Sequence, residues 1–160
     1  MSRHEEPAFE RESLPLIDEH AQLIAAPADQ VWAGLGRMLA GAVRSPGARG
    51  AVRLLGVRPA RAAGDPLVAG SAIPGFGVAS ATPAAELVLL GEHPFSRYAL
   101  TFRLQPEGDA TRVRAESRGL FPGLTGRIYH TLVVGSGGHV FSVRRMLRAI
   151  ATETQQLSAS

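Results

Sequence analysis

Apolar residues recur along this chain in two rhythms, at every second position in some stretches and at every third or fourth in others. Leu14 to Ala26 reads as a first strand. Ala25-Ala26-Pro27-Ala28-Asp29 then stops it and starts a helix, with Pro27 where a first helical turn tolerates it. From Ala28 onward, Val31, Trp32, Leu35, Met38 and Leu39 fall at steps of one, three and four, which predicts an amphipathic helix of about three turns. Trp32, the one tryptophan, sits at helical spacing beside Val31 and Leu35 and is read as core packing rather than a ligand platform.

Residues 41–70 are rich in Gly, Pro, Ala and Arg. Their short apolar bursts, Val52 to Val57 and Pro66 to Ala69, are compatible with a brief helix and short strands. From Gly70 four strand-length runs follow in series: Ser71 to Ser80, Ala84 to Gly91, Arg97 to Gln105 and Ala110 to Phe121. Turn residues at Thr82-Pro83, His93-Pro94 and Pro106 to Asp109 separate them, so they form an antiparallel meander.

Successive strand residues point to opposite faces, and this assigns the sides. Tyr98, Leu100, Phe102 and Leu104 share one face and are expected inside, with Arg97, Ala99, Thr101 and Arg103 outside. In the next strand Val113, Ala115 and Ser117 lie opposite Arg112, Arg114, Glu116 and Arg118. Small inward residues at 115 and 117 leave room, and an empty space costs on the order of 1 kcal/mol per methyl-sized volume, so a helix or a ligand must fill it. For the first strand, His20 and Gln22 share one face and Ala21 and Leu23 the other, and parity does not say which is inside.

The last element runs from about Thr125 to Gln156. Gly135-Ser136-Gly137-Gly138 interrupts it, and a helix must break or bend there, because each glycine weakens it by about 1 kcal/mol relative to Ala. Beyond the break, His139, Val143, Met146, Leu147 and Ile150 form one stripe, with Arg144, Arg145 and Arg148 largely off it.

Composition narrows the function classes. The chain has 160 residues, 45% of them hydrophobic, enough for one domain with a core; the reading is a polar tail over 1–13 and a single domain over 14–156. All 17 of its Lys and Arg positions are Arg, which fits a GC-rich coding bias, and a net charge of +3 with acids interspersed argues against a nucleic-acid partner. Without cysteine, disulfides, thiolate metal sites and Cys nucleophiles are excluded. No secretory signal is seen in Met1 to Glu12, and prolines break the uncharged stretch Pro66 to Ala85, so cytoplasmic residence without membrane insertion is expected.

The order of elements and three segments carry a resemblance. They are Ile24-Ala25-Ala26-Pro27-Ala28-Asp29-Gln30-Val31-Trp32, the Arg97-Tyr98-Ala99-Leu100-Thr101-Phe102 strand and the Tyr129 to Ile150 segment. Together they resemble the START-like (SRPBCC) superfamily of polyketide cyclases, aromatases and lipid-transfer domains with the Bet v 1 helix-grip fold. The resemblance implies an α+β chain whose curved antiparallel sheet of about seven strands grips the long C-terminal helix over an internal cavity. Pocket shape rather than a fixed triad sets function in such proteins.

Catalytic signatures are scarce. A P-loop needs the lysine this chain lacks, Gly75-Phe76-Gly77 does not extend to a dinucleotide fingerprint, and Val134 replaces the first glycine of Gly-x-Ser-x-Gly. Gly135 to Gly138 is read as a kink rather than a phosphate cradle. None of His4, His20, His93, His130 and His139 pairs at i, i+4, so neither a metal nor a cofactor is expected. His4 and His93 are read as solvated. His139 heads the apolar stripe and is expected to line the cavity with Tyr129, either orienting a ligand or satisfied by a backbone carbonyl. The expected lining is His139, Tyr129, Tyr98, Phe102, Ala115, Ser117, Val143 and Met146. Three functions remain open: binding of an apolar small molecule by a monomer or homodimer, a cofactor-independent cyclase or dehydratase drawing on His139 with Tyr129, Tyr98 or His20, and a partner-binding module with a filled core.

Overall fold

Period-two stretches of the chain become strands of one sheet, and the period-3.6 stretches become helices laid on it. A computed structural model describes residues 11–47, 50, 59, 61–133, 135 and 137–160. The strands are β1 (Leu16–Ile24), β2 (Ala72–Ile73), β3 (Phe76–Thr82), β4 (Glu86–His93), β5 (Ser96–Glu107) and β6 (Ala110–Leu120). All neighbours are antiparallel in the order β1-β6-β5-β4-β3-β2: a meander from β2 to β6, with β1 returning to pair with β6. The described residues therefore carry six strands rather than about seven.

Local chemistry accounts for the differences from the sequence reading. The run expected as one strand over 71–80 is split at Pro74-Gly75, because Pro has no N–H to give a ladder and Gly75 turns the chain with φ +89°. Pro66–Ala69 forms turns instead of a strand, held by the Leu67 N–H donating to Asp65 Oδ1 at 2.8 Å. The burst Val52–Val57 lies outside the described residues.

Helix α1 (Ala28–Arg44) has 17 residues, longer than the three turns expected. Its glycines do not end it because they let neighbours approach: Gly34 faces Thr154 and Gly36 faces Leu67. The C-terminal pair, α2 (Gly123–Val133) and α3 (Gly138–Ser158), breaks where the glycine run predicts, with Gly137 left-handed at φ +75°.

One apolar cluster joins these layers. Val31, Leu35 and Leu39 of α1 and Val143, Leu147 and Ile150 of α3 meet Leu87, Leu89, Leu100, Phe102, Leu104, Val113 and Ala115 of the sheet, with Trp32 packed against them. On the opposite, convex face Leu14 closes over Val88, Leu90 and Ala99 in a smaller cluster. The sequence reading left Ala99 and Thr101 on that face in water; both are buried, because a 3-10 turn (Arg11–Ser13) brings the start of the described chain back across the sheet. Among the described residues no helix is long and apolar enough to cross a membrane.

Candidate functional site

Strand register sorts the concave face, the one beneath α1 and α3, into rows. Val78, Leu89, Leu100, Ser117 and Asp18 are cross-strand partners in one row, and Ala81, Leu87, Phe102, Ala115 and His20 in the next. Each row begins apolar on β3 and ends polar on β1. That polarity inverts the usual rule, since Leu23 of the same strand is 51% exposed while the His20 and Asp18 side chains are each 18% exposed.

Asp18 and His20 form a pair within the strand, His20 Nε2 donating to Asp18 Oδ2 at 3.2 Å. A carboxylate only accepts, so this bond places a proton on Nε2 and leaves Nδ1 turned to other partners. A β-bulge between Leu16 and Asp18 helps set the corner: it shifts the register so that Ile17 reaches Gly119, whose missing side chain makes the space.

Beside the pair lies Ser117. It is 2% exposed, and its hydroxyl has no hydrogen-bond partner among the described residues. The same holds for Ser96, on the same face of the neighbouring strand by parity. Buried hydroxyls elsewhere are satisfied: Thr111 donates to the Ala26 carbonyl at 2.8 Å and Thr154 to Ile150 at 2.7 Å.

Between the two serines in the strand order stands Tyr98. Its hydroxyl donates to the Gly75 carbonyl at 2.8 Å, and its ring meets Phe76 edge-on at 5.2 Å. This tyrosine proton is thus engaged with backbone. Phe102, Ala115 and Val143, which the sequence also assigned to the lining, belong to the main apolar cluster, with Met146 packed against it. Phe102 and Ala115 expose none of their surface, so no water-sized space touches either. The volume that a small residue at 115 leaves is taken by its neighbours.

Tyr129 and His139 stand on α2 and in the first turn of α3, and their side chains lie outside the described residues. His4 lies outside them too. His93 is half-buried at a hairpin, accepting from the Phe95 N–H through Nδ1 at 3.2 Å, and exposed His130 meets the Phe121 ring at 4.8 Å. Among the described residues no three His, Asp or Glu gather as a metal would require. Asp18 is the site residue that sequence reasoning missed. The signal was available as the two-residue spacing from His20, but the bulge that seats the aspartate was not.

The convex face carries the ionic chemistry. Arg103 bridges Glu86 at 2.8 Å and Glu116 at 3.3 Å, Arg118 pairs with Glu116 at 2.6 Å, and Arg11 reaches Glu86 at 3.1 Å. For Glu116 the Arg118 hydrogen bond is the largest influence and outweighs burial, holding the carboxyl below the usual range. For Glu86 burial pushes upward, but the hydrogen bonds and charges of Arg103 and Arg11 prevail and lower it. This network fastens Arg11, at the start of the described residues, to the back of the sheet, away from the Asp18–His20 corner.

No known family profile matches the chain, and no curated protein matches it. Solved structures do. Mll3558 from Rhizobium loti superposes with a TM-score of 0.55 at 18% identity, over 85% of this chain and 94% of that one. NE0264 from Nitrosomonas europaea gives 0.56 at 16% identity, over 91% and 97%. The shared property is the fold. DynU16, a putative protein in the dynemicin biosynthetic locus, gives 0.50 at 16% identity over 84% of this chain, which spans 46% of DynU16. These likenesses establish an α+β chain with an antiparallel sheet and a long C-terminal helix, and the chemistry has to be argued from the residues.

Proposed function

We propose that the protein binds an apolar small molecule against the concave face of its sheet, at the end where the rows become polar. The observation that carries this reading is the graded row Val78–Leu89–Leu100–Ser117–Asp18: an apolar floor ending in hydrogen-bonding groups suits a ligand with an apolar body and a polar end. The ligand is placed on the Leu100–Ser117 side, with Tyr98 at one wall; Phe102 and Ala115 below are packed solid, and Leu100 and Ser117 are 5% and 2% exposed, so side chains part to admit it. From the last helix the apolar stripe read in the sequence would add Val143, Met146 and His139, and the sequence reading names Tyr129, ahead of the break, as a further lining residue. No metal, cofactor or nucleic acid takes part. Organic extraction of the protein purified from its native host, followed by mass spectrometry, tests the reading: a stoichiometric apolar compound is expected, and none recovered together with no uptake of a naphthalene-class probe would refute it.

A second reading, a cofactor-independent cyclase or dehydratase, is favoured by one observation, the Asp18–His20 pair. An imidazole oriented by a carboxylate can take a proton through Nδ1 and return it. The occurrence of DynU16 in a biosynthetic locus lends this reading context. Conversion of the extracted compound by the wild type, lost in His20→Ala, would decide for it; recovery of the compound unchanged would decide for a carrier.

A further inference from the structure

We infer that the Ser117 hydroxyl is the specificity-determining group of this site, and that the ligand it selects carries a hydroxyl or carbonyl on a rigid apolar body. The inference rests on the binding reading above and sharpens it.

A hydroxyl taken out of water without a partner destabilises the fold, and an alanine at the same place would avoid that penalty. Ser117 bears it at 2% exposure. Its row neighbours do not relieve it: Leu100 on one side is apolar, and on the other side the serine makes no hydrogen bond to Asp18, whose Oδ2 is held by His20. Among the described residues the only other buried hydroxyl without a partner is Ser96, on the same face, whereas Thr111 and Thr154 are paired, so the unpaired hydroxyls belong to this face of the sheet and not to a general looseness of packing.

Chemistry then narrows the occupant. A serine hydroxyl donates one hydrogen bond and accepts others, and the imidazole two residues along β1 from Asp18 presents its second ring nitrogen, Nδ1, for a further hydrogen bond. A ligand hydroxyl or carbonyl satisfies the serine, and a hydroxyl, which both donates and accepts, can bridge it to the imidazole. A carboxylate or phosphate is disfavoured, because Asp18 lies in the same row and would repel it. An unsubstituted hydrocarbon would leave the serine unpaired. Ser96 has the same unpaired hydroxyl on the same face, beyond Tyr98 by one strand position pair, and it would serve a second polar group on a longer ligand.

The test compares two probes that differ by one hydroxyl, naphthalene and 2-naphthol, titrated by their own fluorescence into wild type, Ser117→Ala and Ser117→Cys. Wild type is expected to prefer 2-naphthol by about five- to tenfold, the value of one hydrogen bond in a buried site. Both variants are expected to lose that preference while holding naphthalene within about twofold, and Ser117→Ala to melt at the same temperature as wild type or higher. A preference that survives both substitutions, or a fall in melting temperature with unchanged selectivity, would overturn the inference and leave the binding site standing. Failure of wild type to take up either probe would overturn the inference together with the reading it rests on.

Discussion

The Tyr98 hydroxyl donates to the Gly75 carbonyl at 2.8 Å, and the ring reaches it by lying across the bare Cα of Gly91. Three strands are tied by this arrangement, because Gly91 is the cross-strand partner of Tyr98 and Gly75 precedes β3. A side chain at 91 would strike both the ring and the Gly75 carbonyl. Gly91→Ala is expected to destabilise the protein by about 1–3 kcal/mol through overpacking, and Tyr98→Phe by about 1 kcal/mol through the lost hydrogen bond. Urea unfolding of the two variants measures both values, and equal stability of Gly91→Ala and wild type would contradict the contact.

Among the described residues Phe102 is the largest side chain buried without remainder, at the centre of the row that ends in His20. Truncation to Ala leaves a cavity facing α1 and α3 and should cost about 3–5 kcal/mol. Ala115→Phe is expected to destabilise as well, by about 1–3 kcal/mol, because its neighbours already fill the space beside it. A melting temperature unchanged by Phe102→Ala would show that the strand faces are misassigned.

Acid should loosen the back of the sheet first. Glu86 and Glu116 have folded values below their ordinary 4.5, so their contribution is present above about pH 4.5 and is lost as pH falls through the lower folded values. Stability is expected to be level from neutral pH to about pH 5 and to decline below 4.5. Glu116→Gln should lower stability at neutral pH and flatten that decline, since it removes the carboxylate that Arg103 and Arg118 share. Melting curves between pH 3 and 7 for both proteins read the effect, and parallel pH profiles would exclude Glu116 as a source.

Gly34→Ala examines the helix layer. A Cβ there would crowd the Thr154 side chain and stand 3.1 Å from the Ile150 carbonyl of α3. The helix propensity gained, about 1 kcal/mol, is expected to be outweighed by separation of the two helices. A higher melting temperature in this variant would mean that the helices have room to part.

Much of the architecture was legible because local rhythm creates it. Leu100, Phe102 and Leu104 are buried, as alternation requires, and the helix breaks at the glycine run. What rhythm could not supply is contact between distant segments. Ala99 and Thr101 are buried because Leu14 and Arg11 fold back over them, and the Arg11–Thr101 contact spans 90 residues. The site was half legible for the same reason. Ser117 could be placed inward by parity, whereas His20 could not, because its strand turns polar residues in and leaves Leu23 out. Only the pairing of β1 with β6, set by a bulge, decides that orientation.

Uptake of an apolar molecule with a polar end is proposed for the concave corner at Ser117 and His20. Backbone amide NMR during titration with 2-naphthol locates the bound probe directly. Saturable shifts are expected at His20, Tyr98, Leu100 and Ser117, with the convex residues Arg103 and Glu116 less affected. Shifts centred instead on the exposed apolar residues Leu124, Ile128 and Phe141, or no saturable shift at any residue, would contradict it.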